Sequence, residues 1–326
     1  MPLSIAEKPL SSPVLLAPLA GITDLPFRTL VSRFGAGLVV SEMVASQEMV
    51  QAKPGVRERA ELGAQVENTS VQLAGREAHW MVRAAKEVEG MGARVIDINM
   101  GCPAKKVVGG LSGSALMRNL DHALQLIEDV VAAVDIPVTL KTRLGWDDSC
   151  LNAAELARRA EGAGVQMVVI HGRTRCQFYK GHADWAAIAD VKAAVDIPVV
   201  ANGDITSPKD AQKALQQSGA DGVMIGRGAQ GRPWVLAQVA HGLGHGALPD
   251  IPQGRALLDM ICGHYEAMLG FYGADLGLRV ARKHLGWYMD DLATCAKLRR
   301  QILTERASAR VLALLRRADD SERCAA

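Results

Sequence analysis

A chain of 326 residues, 49% apolar and 22% charged, has the usage of an ordinary globular protein, which argues against long disordered stretches. Its length suits one barrel of about 250 residues with a small addition, or two average domains. With 37 basic and 35 acidic residues the net charge of +2 excludes a chain dominated by one sign, yet eleven basic against six acidic residues between 251 and 318 polarise positive charge toward the C-terminus.

The six cysteines, at 102, 150, 176, 262, 295 and 324, form no CxxC pair and no dense cluster. That pattern fits free thiols in a reducing cytoplasm rather than a metal site or a disulfide scaffold. The first ten residues lack a basic and apolar leader, and no segment offers 18 or more uncharged apolar residues. A soluble cytoplasmic protein with no membrane partner is expected.

In chain order, short apolar runs occupy 14–21, 37–43, 69–75, 94–101, 137–145, 167–174, 198–205 and 222–229, with helix-period segments such as 78–89, 121–134, 152–161 and 208–217 between them. This alternation is that of βα units around a parallel sheet, whose strands, covered on both faces, read as near-continuous apolar runs. Gly92, Gly164 and Gly219 each follow a helical stretch where a left-handed C-cap is useful, and Ser207-Pro208 supplies an N-cap with proline at the first helical position. The segment VDIPV, at 134–138 and again at 195–199, suits repeated units of this kind.

An open doubly wound sheet usually carries GxGxxG after its first strand, whereas here the first run ends in Ala17-Pro18-Leu19-Ala20-Gly21. The expected fold is therefore α/β, a (β/α)8 TIM barrel over 1–243 that closes near Ala240. After a Gly-, His- and Pro-rich break at 241–254 the pattern turns purely helical, predicting a small all-helical domain over 244–326 with a flexible tail after about 318.

Polar and glycine residues gather where the runs end: Gln72, Asn99, Cys102, Lys141, His171, Asn202, Gly203, Asp204, Gly226 and Arg227. A barrel enzyme keeps its site at those strand C-termini, and the loops after strands seven and eight commonly bind phosphate through backbone N–H groups. A glycine in each lets the backbone come close, and Arg227 adds a charge-assisted contact, so a phosphorylated cofactor is implied. Taken singly, Gly203 and Gly226 are turn glycines, Lys141 is a snorkelling lysine and His171 a satisfied core histidine. Their common placement carries the argument. Cys102 lies in an Asn-Met-Gly-Cys-Pro turn beyond the fourth run, where a protonated thiol can act as a general acid; the other five cysteines read as inert.

The segments APLAGITDLPFR (17–28), SEM (41–43), VQLAG (71–75), DINMGCPAKK (97–106), VTLKTR (138–143), IHGRTR (170–175), ANGDI (201–205) and MIGRGA (224–229) together resemble the tRNA-dihydrouridine synthases, most closely the bacterial B-type enzymes. The likeness runs from about Leu16 to Tyr288, and DINMGCPAKKV is its most specific part. It implies non-covalent FMN held by Pro18, Leu19, Ala20, Gln72, Lys141, His171, Asn202, Gly203, Asp204, Gly226 and Arg227, with NADPH or NADH as electron donor. It also implies that Cys102 protonates C5 of a tRNA uridine while hydride from flavin N5 reaches C6; a monomer is expected. Leu19 stands where relatives often carry Met, which a backbone contact tolerates.

Asn99 is expected to orient the uracil, and Lys141 to stabilise reduced flavin. A uridine in folded tRNA must swing out while its backbone is gripped elsewhere. Arg279, Arg282 and Lys283, at i, i+3 and i+4 with His284 adjacent, are expected to serve that grip, with Arg173 and Arg175 meeting phosphates nearer the site. The same site would suit an FMN barrel enzyme acting on a free pyrimidine or dihydroorotate, which needs no basic helices; a non-catalytic RNA-binding barrel would need neither Cys102 nor Lys141.

Overall fold

The computed structural model describes residues 2–63, 68–292 and 294–318. Eight parallel strands run in chain order: β1 (Val14–Leu16), β2 (Leu38–Val40), β3 (Thr69–Ala74), β4 (Val95–Met100), β5 (Val138–Arg143), β6 (Val168–His171), β7 (Val199–Asn202) and β8 (Gly222–Ile225). Each pairs with the next, and β8 pairs with β1, so the sheet closes. The expected (β/α)8 barrel is thus the architecture observed. A short extra strand, Val44–Ala45, extends the sheet beside β3, and a two-stranded ribbon, Ser4–Ile5 with Lys8–Pro9, buries Leu3 and Ile5 against Leu15, Val95 and Val200.

Each barrel strand is followed by a helix: α1 (Leu25–Arg33), α2 (Ser46–Val50), α3 (Ala78–Gly90), α4 (Leu120–Val131), α5 (Ala153–Gly162), α6 (Ala189–Ala194), α7 (Pro208–Ser218) and α8 (Val235–Gly242). Local chemistry sets their ends. Ser207 accepts from the Asp210 N–H, Pro208 opens α7 with no donor to lose, and Gly219 closes it at φ +65°. Gly92 and Gly164 stand at φ +92° and +98° after α3 and α5, the left-handed geometry a side chain resists. The helices press alanine and branched residues such as Ala84, Val88, Leu126 and Leu156 onto the outer faces of the strands. Each Val, Leu or Ile fully buried this way contributes roughly 1.5–3 kcal/mol.

Every strand is shorter at its C-terminal end than its apolar run. The run 14–21 forms a strand only through Leu16, and 198–205 only through Asn202, because the following residues turn inward at the barrel mouth. Beyond α8 four helices follow: α9 (Gly254–Tyr272), α10 (Ala274–Asp291), α11 (Ala296–Thr304) and α12 (Ser308–Leu315). They share a core of their own, including Ile261, Tyr265, Met268, Leu285, Tyr288 and Val311. This bundle packs on α1 beside β1, where Phe27 meets the rings of His284 and His264 at 5.0 and 5.8 Å. The tail expected after about 318 lies outside the described residues.

Candidate active site

Inward-facing residues of neighbouring strands stand opposite one another at the mouth. Register pairs Gln72 with Asp97, Asn99 with Lys141, Arg143 with His171, and His171 with Asn202. Side chains alternate along a strand, so Asp97 and Asn99 share a face of β4, and Lys141 and Arg143 share one of β5. Gln72, Asn99, Lys141, Arg143, His171 and Asn202 line a cavity of about 640 Å³ with Pro18, Leu19, Ala20, Cys102, Gly203, Asp204, Gly226 and Arg227.

Two hydrogen-bond chains order the floor of this cavity. Thr139 and Gln72 donate to the two Asp97 oxygens at 2.8 and 2.6 Å, and Asn99 donates to Gln72 Oε1 at 2.8 Å. Lys141 Nζ donates to Asn202 Oδ1 at 3.0 Å, and Asn202 in turn donates to the Met224 carbonyl at 2.8 Å. Burial, reinforced by the adjacent Arg143, lowers Lys141 to about 8, which leaves it largely protonated at neutral pH. Burial pushes the Asp97 carboxyl upward against the bonds from Gln72 and Thr139.

Cys102 sits half-buried on the cavity wall, its loop pinned from several sides. Asn99 Oδ1 accepts from the Cys102 and Gly101 N–H groups at 3.0 and 3.2 Å, and Ser114 Oγ donates to the Cys102 carbonyl at 2.9 Å. Arg143 Nε donates to the Gly101 carbonyl at 2.8 Å. Gly113, at φ +60°, packs so closely that a Cβ there would lie 2.9 Å from the Cys102 oxygen. Asn99, expected against the substrate base, lines the cavity, with its oxygen and one N–H engaged in holding this turn and Gln72.

Positive charge concentrates at the other end. Burial first, and then Lys141, Arg143, Arg173 and Arg227, hold His171 well below its usual value, so the ring is neutral. Although partial burial raises the Asp204 carboxyl, the Arg173 hydrogen bond and the Arg227 charge bring it below the ordinary range. Gly203 has φ +117°, and a Cβ there would meet Ala183 at 2.7 Å and the His171 ring at 3.3 Å. Only glycine fits this turn between β7 and α7, against Ala183 and His171.

Arg173 departs from the expectation that it meets tRNA phosphates. It is 1% exposed and held by both Asp204 oxygens and by the Lys180 and Gly181 carbonyls, a bracket that fixes the β6 loop. Arg282 departs in part, since it donates to the Glu305 carbonyl at 3.2 Å, while Arg279 and Lys283 are exposed and Arg175 is half-buried. The Leu19 N–H is taken by Thr23 Oγ1 at 2.9 Å and its carbonyl accepts from Ile22 and Thr23, so this residue turns a side chain rather than its backbone to the cavity. Sequence reading missed Arg143, although its i+2 spacing from Lys141 marks the same strand face. It also missed Tyr179, which lines the mouth beneath Arg143 and Arg227 at 5.5 and 5.1 Å from its ring centre and has no periodicity to betray it.

A closed parallel barrel whose strand C-termini gather an ammonium, two guanidiniums, a neutral histidine and a loop-borne thiol around one cavity defines a barrel enzyme with a cofactor-sized site. Residues 15–322 match the family model described as dihydrouridine synthase (Dus), and the chain belongs to that family. It is 65% identical over 320 residues to a probable tRNA-dihydrouridine synthase of Rhodobacter capsulatus, covering 98% of both chains. A probable tRNA-dihydrouridine synthase of Rickettsia conorii is 53% identical, with 91% of this chain and 90% of that one covered. The tRNA-dihydrouridine synthase B of Xanthomonas campestris is 48% identical over 91% and 88%. Histamine dehydrogenase from Rhizobium sp. 4-9 shares the barrel at a TM-score of 0.59 and 15% identity; the match takes in 98% of this chain and 64%, under two thirds, of that one. Family membership makes the chain a flavin-dependent oxidoreductase.

Proposed function

We propose that this chain is an FMN-dependent tRNA-dihydrouridine synthase that draws electrons from NADPH or NADH and reduces the C5=C6 bond of uridine in tRNA. The observation that carries the reading is the half-buried Cys102 on the wall of a cavity that also holds Lys141. The cavity fits the cofactor chemically. Among the described residues Lys141 Nζ has one hydrogen-bond acceptor, Asn202, so a primary ammonium keeps two N–H groups for an acceptor in the cavity. At the other end, Gly203, Gly226 and Arg227 line the cavity and suit a phosphate.

In this reading Gly203, Asp204, Gly226 and Arg227 would hold the phosphate of FMN, and Gln72, Lys141, His171 and Asn202 would hold its ring. When bound, FMN supplies hydride to C6 of the uracil. Cys102 transfers its thiol proton to C5, which completes the addition of one hydride and one proton. Neutral His171 donates or accepts a hydrogen bond without adding a further charge. No helix among the described residues is long and apolar enough to cross a membrane, and tRNA in the cytoplasm is the substrate.

Incubation of unmodified tRNA with enzyme and NADPH, followed by mapping of dihydrouridine, tests the assignment. Dihydrouridine at defined positions, made by a yellow protein that releases FMN, is expected. Release of FAD, absence of flavin after reconstitution, or reduction of free uracil in preference to tRNA would overturn it.

A further inference from the structure

Three consecutive loops on the rim bring cations around one indole. Arg118 ends a turn (Gly113–Arg118) in the loop after β4, Trp146 follows β5, and Arg175 follows β6. Both guanidinium carbons lie 4.9 Å from the Trp146 ring centre, so they are held within twice that distance of each other. The platform is braced by its backbone: the Arg175 N–H donates to the Gly145 carbonyl and the Cys176 N–H to the Trp146 carbonyl, each at 2.9 Å. Arg118 is exposed, Trp146 and Arg175 are half-buried, and the exposed Lys105 and Lys106 add charge from the β4 loop. Of the two neighbouring acids, Asp147 is turned onto the Ser149 N–H and hydroxyl, while Asp148 is exposed.

The location adds the second observation. In a ring of eight strands β5 stands opposite β1. The helical bundle sits at β1, where Lys283 Nζ lies 3.4 Å from the Cβ position of Gly21. A nucleotide entering the mouth therefore passes between the bundle and the Trp146 platform, with cations on both sides. A guanidinium on an indole face keeps its edge N–H groups free for phosphate oxygens, and stacking limits the rotamers it must give up on binding.

We propose that Arg118, Trp146 and Arg175 form an RNA-backbone clamp on the barrel rim, across the mouth from the helical bundle, which grips phosphates next to the uridine that enters the site. Trp146 is the positioning residue and the two arginines make the contacts. The site rests on the tRNA reading above and extends the phosphate contact expected of Arg175 to Arg118 and the Trp146 platform.

The test measures affinity for an unmodified tRNA transcript over a salt series, using the full-length flavin-loaded enzyme. Arg118→Gln with Arg175→Gln is expected to weaken binding about three- to ten-fold at low salt and to lower the slope of log K against log salt by about 0.7–0.9 for each phosphate no longer neutralised. Trp146→Leu is expected to lower that slope as well although it removes no charge, and Trp146→Phe to restore most of it. An unchanged slope in the arginine variant, or lower affinity at unchanged slope in Trp146→Leu, overturns the clamp. If Trp146→Leu lowers the unfolding midpoint, Arg118→Gln alone, at an exposed position, decides the matter by its slope. A wild-type enzyme that neither binds nor reduces the transcript overturns the substrate reading and this site with it. Variants unchanged beside an active wild type overturn the clamp alone.

Discussion

The mouth of the barrel and the seam between barrel and helical bundle both bury polar side chains, and they treat them in opposite ways. At the mouth each group is held by another: Gln72 and Thr139 by Asp97, Asn99 by Gln72 and by the Cys102 turn, Lys141 by Asn202. At the seam His264 and His284 meet edge to face with ring centres 4.9 Å apart beside Phe27, His264 Nδ1 meets the Tyr288 hydroxyl at 2.9 Å, and His264 Nε2 has no partner among the described residues. The mouth holds polar groups in fixed directions toward a cavity, as a site for a charged cofactor requires. The seam uses imidazoles as flat apolar rings that join two cores. A histidine in the sequence announces neither role, and only its surroundings decide.

The largest effect expected from this contrast is at the mouth. Cys102→Ala removes one thiol from a turn whose backbone is held independently by Asn99 and Ser114, so the loop and the flavin are retained and hydride is still accepted from NADPH. Reduction of tRNA uridine is expected to fall about 10²- to 10⁴-fold, the range that a positioned general acid contributes. Single-turnover mixing of the reduced variant with unmodified tRNA measures it. Flavin reoxidation and dihydrouridine formation near the wild-type rate would leave Cys102 a structural thiol.

The seam makes a smaller, pH-dependent prediction. Burial, helped by Lys283, lowers His284 to about 4 from 6.5. A base whose folded pKa is depressed favours the folded state only while neutral, so its contribution is intact above about 6.5 and is lost as pH falls toward 4. His264 from α9, Phe27 from α1 and the Ile22 backbone surround this ring. Asp24 works in the opposite direction in the same window, because burial raises it to about 6 and its contribution grows as pH falls. A difference measurement cancels it. Between pH 7.5 and pH 5, wild type is expected to lose about 2 kcal/mol more stability to urea than His284→Leu does. Equal losses would mean that the ring is hydrated in the folded state and that the seam is not dry.

How much of this was legible follows from periodicity. The eight apolar runs each contain one barrel strand, and Gly92, Gly164, Gly219 and Ser207 stand at the helix ends they signal, because those features depend on a few adjacent residues. Gln72, Cys102, Lys141, His171, Asn202, Gly203, Gly226 and Arg227 line one cavity because all lie at or just past a strand's C-terminal end. Arg173 was misread for a reason no local pattern contains: its partner Asp204 is 31 residues away and reaches it only after β6 and β7 pair. Tyr179 and the Arg118–Trp146–Arg175 cluster were hidden likewise, since loops from different strands meet only once the barrel closes.

The smallest effect concerns the outer face of α10, and it separates three cations that one helical spacing groups together. Positions 279 and 283 are one turn apart and both exposed, whereas Arg282 swings toward α11 and α12 and its guanidinium meets the Glu305 carbonyl. Lys283 stands nearest the mouth, with its ammonium beside Gly21 in the loop that carries Pro18, Leu19 and Ala20. If tRNA crosses this face, Lys283→Ala should weaken binding more than Arg279→Ala. The double variant should flatten the salt dependence by about 0.7–0.9 per phosphate released. Each exposed ion pair with a phosphate is worth little at physiological salt, so the change in affinity there is expected to stay within about five-fold and the slope is the more sensitive readout. Unfolding midpoints should match wild type, as neither side chain packs in the bundle core. A slope unchanged in the double variant, with the Arg118 and Arg175 variant altered, would move the main RNA contact from the bundle to the opposite rim. The reverse pattern would leave the bundle as the principal grip.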